Sequence, residues 1–309
     1  MEFSIYQESR RGTRKVNQDR VGYVYTSDAM LMVVCDGMGG HVGGEIAAHL
    51  TVRLLIERFQ SEAKPILMSP VLFLQRSLLA AHSALADYAE RFRLPDTPRT
   101  TCVACVIQDE AAYWAHAGDA RLYHLRHGRI LARTRDHSKV QYLLDSHLIS
   151  SQEAVNHPDR HKVFSCLGGD IEPTIDFSPR VPLLRGDVLV LCTDGLWSAF
   201  SDNEFAQRMT AGPLATVVPE ALTESERRSV EDCDNLSVIA LAWAGESDDW
   251  SDAQTTTTTD TLALGEFSTQ LDRTITLLDP ETGERALSEE EIQKAIQEIQ
   301  EALKRYGGS

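Results

Sequence analysis

Four aspartates stand where a carboxylate is costly unless something meets its charge. Asp36 closes the apolar run from Met30 to Cys35 and is followed by Gly37, Met38, Gly39 and Gly40. Asp194 closes a second run, Val188 to Cys192, after one threonine, and Gly195 follows it. Asp119 comes after Ala117 and Gly118, and Asp234 stands just before the run from Leu236 to Trp243. A buried strand that ends in a carboxylate needs a cation, a hydrogen-bond donor or water at that end. One Asp-Gly is an ordinary turn dipeptide, but the repeated device favours carboxylates converging on one end of a sheet core. Such donors are all oxygen and suit hard divalent cations such as Mg2+ or Mn2+, and no His-Cys zinc spacing competes with them. Two such ions would clamp a phosphoryl oxygen and turn a shared water into a nucleophile near neutral pH.

The elements that must position these groups follow from periodicity. Alternation over 3–7 and 21–25 predicts strands, and the continuous apolar run over 30–35 predicts a fully buried one. After the glycine turn, Glu45 opens an amphipathic helix that runs to about Phe59. Ser69 as N-cap with Pro70 at the first helical position starts a second helix, whose apolar residues from Val71 to Phe92 recur at spacings of three and four. From Thr100 the period changes to two, with strands over 102–107, 112–116, 121–125 and 130–133. A polar helical segment over 139–156, strands over 163–166 and 187–192, helices over 202–209 and 213–229, and a last strand over 236–243 complete the body. Strands, then helices, then strands favour antiparallel sheets with helices layered on them over a βαβ array.

Composition sets what else is excluded. The chain has 309 residues and a net charge of -16, which argues against sequence-independent nucleic-acid binding and against adhesion to an anionic membrane. No apolar run approaches 20 residues and no signal-like start precedes the first strand, so a cytoplasmic location is expected. The six cysteines fall mostly in strand-like runs and read as small reduced core residues. Cys102 and Cys105 would point to opposite faces of one strand. The histidines at 137, 147, 157 and 161 fit no ligand spacing and read as polar surface.

The ordered set Arg14-x-x-Asn17-Gln-Asp19, Asp36-Gly-Met-Gly-Gly-His41-x-x-Gly-Glu45, Thr100-Thr101, Gly118-Asp-Ala-Arg121, Thr134-Arg-Asp-His137-Ser, Asp194-Gly-Leu and Asp234-Asn235 resembles the metal-dependent protein phosphatase 2C family in its bacterial form. The resemblance covers about residues 3–243. It implies an α+β fold, a four-layer αββα sandwich of two antiparallel β-sheets flanked by helices. It also implies hydrolysis of phosphoserine and phosphothreonine in proteins by a water held between metal ions, with no covalent intermediate. Carried over, Asp36 would bridge two ions, the Gly37 carbonyl would ligate one, and Asp194 and Asp234 would complete the ligands of the other. Asp19 would hold a metal-bound water, and Asp119 with Asp194 would hold a third ion, so two or three Mn2+ or Mg2+ ions are implied. Arg14 matches the family's phosphate-binding arginine, and a planar guanidinium suits two phosphate oxygens. The segment 141–164 matches a flap beside the active site. Implied partners are phosphorylated proteins, with a bacterial Ser/Thr kinase and its substrates.

Departures from the pattern are specific. Gln18 stands where many relatives have Glu, and Met38 where animal relatives have a histidine proposed as general acid. Ala120 and Ser237 replace Ser and Thr, and His41 reads as a turn-stabilising residue. A catalytically inactive, phosphoprotein-binding relative is the alternative reading; it would be expected to have lost one of Asp19, Asp36, Asp119, Asp194 and Asp234, and all are present. A nucleotide-binding enzyme is disfavoured because no GxxxxGK[ST] occurs. The expected domains are a catalytic body over 1–245, an acidic Thr-rich linker over 246–272 and a strand-turn-helix extension over 273–309. Residues 246–309 carry 15 acidic and 5 basic side chains. The apolar stripe of the extension's helix, Ile292, Ile296, Ile299, Leu303 and Tyr306, is expected to dock on the body or a partner.

Overall fold

The computed structural model describes residues 1–38, 43–155, 157–229, 232–244 and 268–271. In chain order the elements are β1 (Phe3–Arg10), β2 (Arg20–Tyr25), β3 (Ala29–Cys35), β4 (Gly37–Met38), α1 (Gly44–Glu62), α2 (Pro70–Phe92), β5 (Arg99–Thr100) and β6 (Cys102–Gln108). They continue with β7 (Ala111–Ala117), β8 (Arg121–Arg126), β9 (Arg129–Arg133), α3 (Lys139–Asp145), α4 (Ser151–Val155), β10 (Asp176–Phe177), β11 (Val181–Pro182) and β12 (Asp187–Cys192). The last are α5 (Asp194–Trp197), α6 (Asp202–Met209), α7 (Leu214–Arg228), β13 (Leu236–Trp243) and β14 (Ser268–Leu271).

Two antiparallel sheets stack face to face. One has the order β1-β13-β12-β8-β9 and the other β10-β7-β6-β3-β2-β14, with β11 also on β7. Alternate residues of each strand serve two different cores, as the period of two requires. Met30, Met32 and Val34 of β3 face β12 and β13 through Leu189, Leu191, Ile239 and Leu241. Leu31, Val33 and Cys35 face the helices α1 and α2 through Leu55, Phe59, Leu74 and Leu78. On the far side, Val188, Val190, Val238 and Ala240 pack against Phe205, Val218 and Leu222 of α6 and α7. Helix, sheet, sheet, helix is therefore the layer order, the α+β sandwich that the resemblance implied.

Helix α2 begins as its sequence dictates, with the Ser69 side chain accepting from the Leu72 N–H and proline inside the first turn. Cys102 and Cys105 do face opposite cores. Some expectations are corrected. The polar helical segment over 139–156 is two short helices, α3 and α4. The run over 163–166 is no strand and forms only the single bridge Ser138–Val163. It closes the base of the 141–164 segment, where Lys139 N–H donates to Lys162 O and Phe164 N–H to His137 O. Ser268–Leu271, inside the stretch read as linker, pairs with the outer edge of β2. The strand expected over 273–278 and the helix from 288 lie outside the described residues, as does His41. Among the described residues no helix is long and apolar enough to cross a membrane.

Asp187, at the start of β12, is fully buried and anchors the sheet carrying Asp194 and Asp234. It accepts from Arg126 Nε and Nη2, from His124 Nε2 at 2.8 Å and from the Leu184 N–H at 2.9 Å. Burial alone would raise its pKa, but these donors hold it well below the usual carboxylate range. A depressed folded-state pKa contributes stability above the unfolded value of about 3.9, and that stability is lost as pH falls. Asp187→Asn is therefore expected to cost on the order of 3 kcal/mol at pH 7. The variant should also lose less further stability than wild type between about pH 5 and pH 2. Parallel urea melts across pH check this, and equal acid sensitivity in the two proteins would contradict it.

Candidate metal centre

Every sequence-derived aspartate lies at the same end of the sandwich. Asp36 follows the end of β3, and Asp19 immediately precedes β2, whose first residue Arg20 lies opposite Cys35. Asp119 sits in the turn from β7 to β8. Asp194 follows the end of β12, where Cys192 lies opposite both Arg121 and Val238, and Asp234 stands two residues before β13. Antiparallel pairing thus brings strand ends and strand starts, far apart in sequence, to one edge of the two-sheet core.

The backbone there is too close for any side chain. A Cβ on Gly37 would lie 2.1 Å from the Gly44 carbonyl oxygen, and one on Gly195 would lie 2.1 Å from the Asn235 carbonyl oxygen. Glycine after Asp36 and after Asp194 lets neighbouring chain pass directly behind each of them. Asp36 is further fixed through its main chain, its carbonyl accepting from the Thr101 N–H and from Thr100 Oγ1, both at 2.8 Å. Asn235 ties down the loop leading to Asp19, with Oδ1 accepting from the Gln18 N–H and Nδ2 donating to the Arg11 and Val16 carbonyls.

The carboxylates of this edge act on one another electrostatically. Burial, followed by the Asp19, Asp194, Asp119 and Asp234 carboxylates, raises Asp36 well above the ordinary range. Burial pushes Asp19 up to about 7; hydrogen bonds from Thr193 and Ser237 oppose this, and Asp194 and Asp234 add to it. Asp119 is raised by burial and then by Asp194 and Asp136, against the pull of Arg121. Of the two Asp19 oxygens, Oδ2 accepts from Thr193 Oγ1 at 2.8 Å and Oδ1 is buried with no partner. A mutually repelling, all-oxygen cluster with an orphaned buried oxygen fits hard divalent cations.

The remaining expected residues are placed as follows. Arg14 reaches the cluster, but its Nε and Nη2 are engaged with Asp234 Oδ1 and Oδ2 at 3.0 and 2.9 Å. Gly37 is buried in the short β4–β5 pair opposite Thr100. Three contributors were missed. Thr193 holds Asp19; Trp197 donates its Nε1–H to the Asp119 carbonyl at 3.1 Å; and His161, on the flap, lies with Nδ1 3.4 Å from Asp194 Oδ2. The hydrogen bond to Asp194 raises the His161 pKa against its partial burial. Thr193 could have been noticed as the hydroxyl between a buried strand and its aspartate. Trp197 and His161 are brought in by packing and by the return of a long loop, which carry no local signal. The surface reading of His137 is corrected: its side chain is buried.

Comparison with known proteins identifies the family. Residues 6–227 match the family model described as protein phosphatase 2C. The chain belongs to the protein phosphatase 2C family. It is 28% identical over 243 residues to the serine/threonine phosphatase stp of Listeria innocua, covering 78% of this chain and 90% of that one. It is 31% identical over 224 residues to the serine/threonine protein phosphatase PstP of Mycobacterium tuberculosis, covering 72% of this chain and 40% of that protein. Among solved structures, Stp1 of Staphylococcus aureus superposes with a TM-score of 0.71 at 26% identity, over 79% of this chain and 96% of that one. The catalytic domain of PstP in complex with two manganese ions superposes with a TM-score of 0.67 at 27% identity, over 79% and 99%.

The cluster's self-repulsion makes a metal-removal prediction. Asp36→Asn should raise the melting temperature of metal-free protein, because one repelling charge is gone. It should also nearly abolish the stabilisation that Mn2+ gives wild type, which is about 2.7 kcal/mol at a hundredfold excess over Kd. Thermal melts with and without Mn2+ decide this, and equal Mn2+ stabilisation of both proteins would contradict it.

Proposed function

We propose that this chain is a metal-dependent protein serine/threonine phosphatase acting on phosphoserine and phosphothreonine in proteins. The observation that carries the reading is the strand register that brings Asp36 and four other aspartates to one edge of the sandwich, where all four act on the Asp36 carboxylate, within a chain of the phosphatase 2C family. Asp36, the Gly37 carbonyl, Asp194 and Asp234 would hold two divalent ions, Mn2+ or Mg2+, and Asp119 with Asp194 a third. When bound, the ions supply charge to the phosphoryl oxygens and lower the pKa of the attacking water.

The protein's own groups do the rest. Thr193 donates to Asp19 Oδ2 and leaves Oδ1, buried without a partner, to accept from and orient a water. Arg14 holds Asp234 in line and presents a guanidinium at the mouth, half-exposed, where a phosphomonoester would dock. Met38, partly buried in β4, has no proton to give, so leaving-group protonation falls to another group or to solvent. The 141–164 segment brings His161 over Asp194 and so covers one wall of the site. The substrates on this reading are phosphorylated proteins, with a bacterial Ser/Thr kinase as their source. The free cysteines, five of them buried, suit the reducing cytoplasm.

Hydrolysis of a phosphothreonine peptide with and without Mn2+ tests the assignment. Asp36→Asn and Asp194→Asn should each abolish turnover, because an amide cannot supply the charge that holds adjacent dications; wild-type turnover in either would overturn it. Arg14→Ala should mainly raise KM, as loss of uniform phosphate binding does, whereas an unchanged KM with a collapsed kcat would assign Arg14 to the metal centre alone. We propose further that 246–309 serves placement or regulation rather than chemistry, its C-terminal helix docking on the body or a partner. Truncation after Gly245 should leave turnover on a small phosphopeptide nearly unchanged while exposing the β2 edge and promoting self-association. Loss of hydrolysis in a folded truncated protein would contradict that division.

A further inference from the structure

Apart from the aspartate cluster, three ligand-bearing side chains from separate parts of the chain meet behind the β7–β8 turn. His116 is on β7, and Asp176 on β10 is its direct cross-strand partner, so the two share one face of the sheet. His137, in the loop after β9, stacks on His116 with ring centroids 4.6 Å apart. One ligand atom from each of the three lies within 4.8 Å of the others. The charges acting on His116 come from His137, Asp176 and Asp136.

Two buried ring nitrogens there have no hydrogen-bond partner, His116 Nδ1 and His137 Nε2. The residues that carry them are only 3% and 4% exposed. His116 Nε2 lies 2.8 Å from the Arg135 carbonyl, which can only accept, so the proton is on Nε2 and Nδ1 keeps a lone pair with no partner. A backbone carbonyl on the far nitrogen is the usual way a ligating histidine is oriented. Burial lowers the His116 pKa, which keeps the ring in its neutral, ligating form. His137 Nε2 lies 3.4 Å from Asp176 Oδ2, close to the ligand–ligand edge of roughly 3.3 Å that a tetrahedral zinc site with bonds of about 2.0–2.1 Å requires.

We propose that His116 Nδ1, His137 Nε2 and an Asp176 carboxylate oxygen form a binding site for a transition-metal dication of the zinc type, distinct from the aspartate centre. Imidazole pairs select zinc-like ions over Mg2+ and Mn2+, whereas the all-oxygen cluster makes the opposite choice. Three protein ligands leave the fourth position to solvent, and Asp176, half-exposed, gives the ion a way in. His137 Nδ1 accepts from the Gly118 N–H at 3.3 Å, so its neutral ring carries the proton on Nε2. Binding moves that proton to Nδ1 and gives up the Gly118 hydrogen bond, with no net proton released from this ring. Occupancy is therefore reversible rather than structural, and it is felt by the turn that carries Asp119.

Calorimetric titration of the full chain with Zn2+ in excess Mg2+ tests the site, comparing wild type with His116→Gln and the surface variant Asp176→Asn. Wild type should take up one more equivalent of Zn2+ than either variant, or bind that equivalent tighter by on the order of tenfold or more. Both variants should keep Mn2+-supported phosphopeptide hydrolysis when Zn2+ is absent, which shows that they are folded and that the aspartate centre is intact. Identical Zn2+ stoichiometry and affinity in all three proteins would overturn the proposal, as would a wild type that binds no Zn2+ beyond the aspartate centre. Loss of hydrolysis in wild type with the extra Zn2+ equivalent intact would instead count against the phosphatase reading and leave this site standing.

Discussion

Repulsion among clustered, partly buried carboxylates is the constraint on which the rest of this structure depends. Asp36 meets the fields of Asp19, Asp119, Asp194 and Asp234 at once, and Asp19 and Asp119 are buried where water screens them little. A fold tolerates such an arrangement only if its framework is stiff enough to hold the charges without their help. Here that framework is two sheets with a shared apolar interior, and each aspartate lies at or next to the end of a largely buried strand. The packing of Met32 and Val34 in one core with Leu189 and Leu191 thus offsets what the aspartate edge costs and holds the carboxylates together.

Secondary contacts refine the arrangement. Thr193 both receives the Ser237 N–H and donates to Asp19, so one hydroxyl links the two sheets at the aspartate edge. On the other flank, the Arg121 guanidinium pairs with Asp136 through Nε and Nη2 and lies 3.4 Å from the Trp197 ring centroid. The Trp197 indole in turn holds the Asp119 carbonyl. The turn bearing Asp119 and the short helix opened by Asp194 are therefore braced against each other. His116 and His137 sit just behind this brace, which is why an ion there would be sensed at the metal edge.

Legibility in the sequence divides along physical lines. Strands β3, β12 and β13 were readable because continuous apolar runs end at glycine or aspartate, and α2 because Ser69-Pro70 is a local start signal. The convergence of Asp36, Asp194, Asp119 and Asp234 followed from a repeated local device, and Asp19 and Arg14 from the ordered motif set. What escaped was long-range. Engagement of Arg14 with Asp234 joins residues 220 apart in the chain, and His161 reaches Asp194 only because Lys139 and Lys162 close the flap at its base. His137 was misread as surface because a histidine in a polar loop looks solvated until its cross-sheet neighbour is known. The edge strand over 268–271 escaped because an acidic, low-complexity neighbourhood masks a short pairing segment.

The central claim is that the aspartate edge is a cation site and not merely a polar rim held by Arg14 and His161. A crystal structure of the protein soaked in Mn2+, with an anomalous-difference map at the manganese edge, tests it most directly. The account predicts at least two peaks about 2 Å from carboxylate oxygens of Asp36, Asp194 and Asp234. An empty edge at saturating Mn2+, with Asp234 still clasped by Arg14 and the peaks elsewhere on the acidic surface, would contradict it.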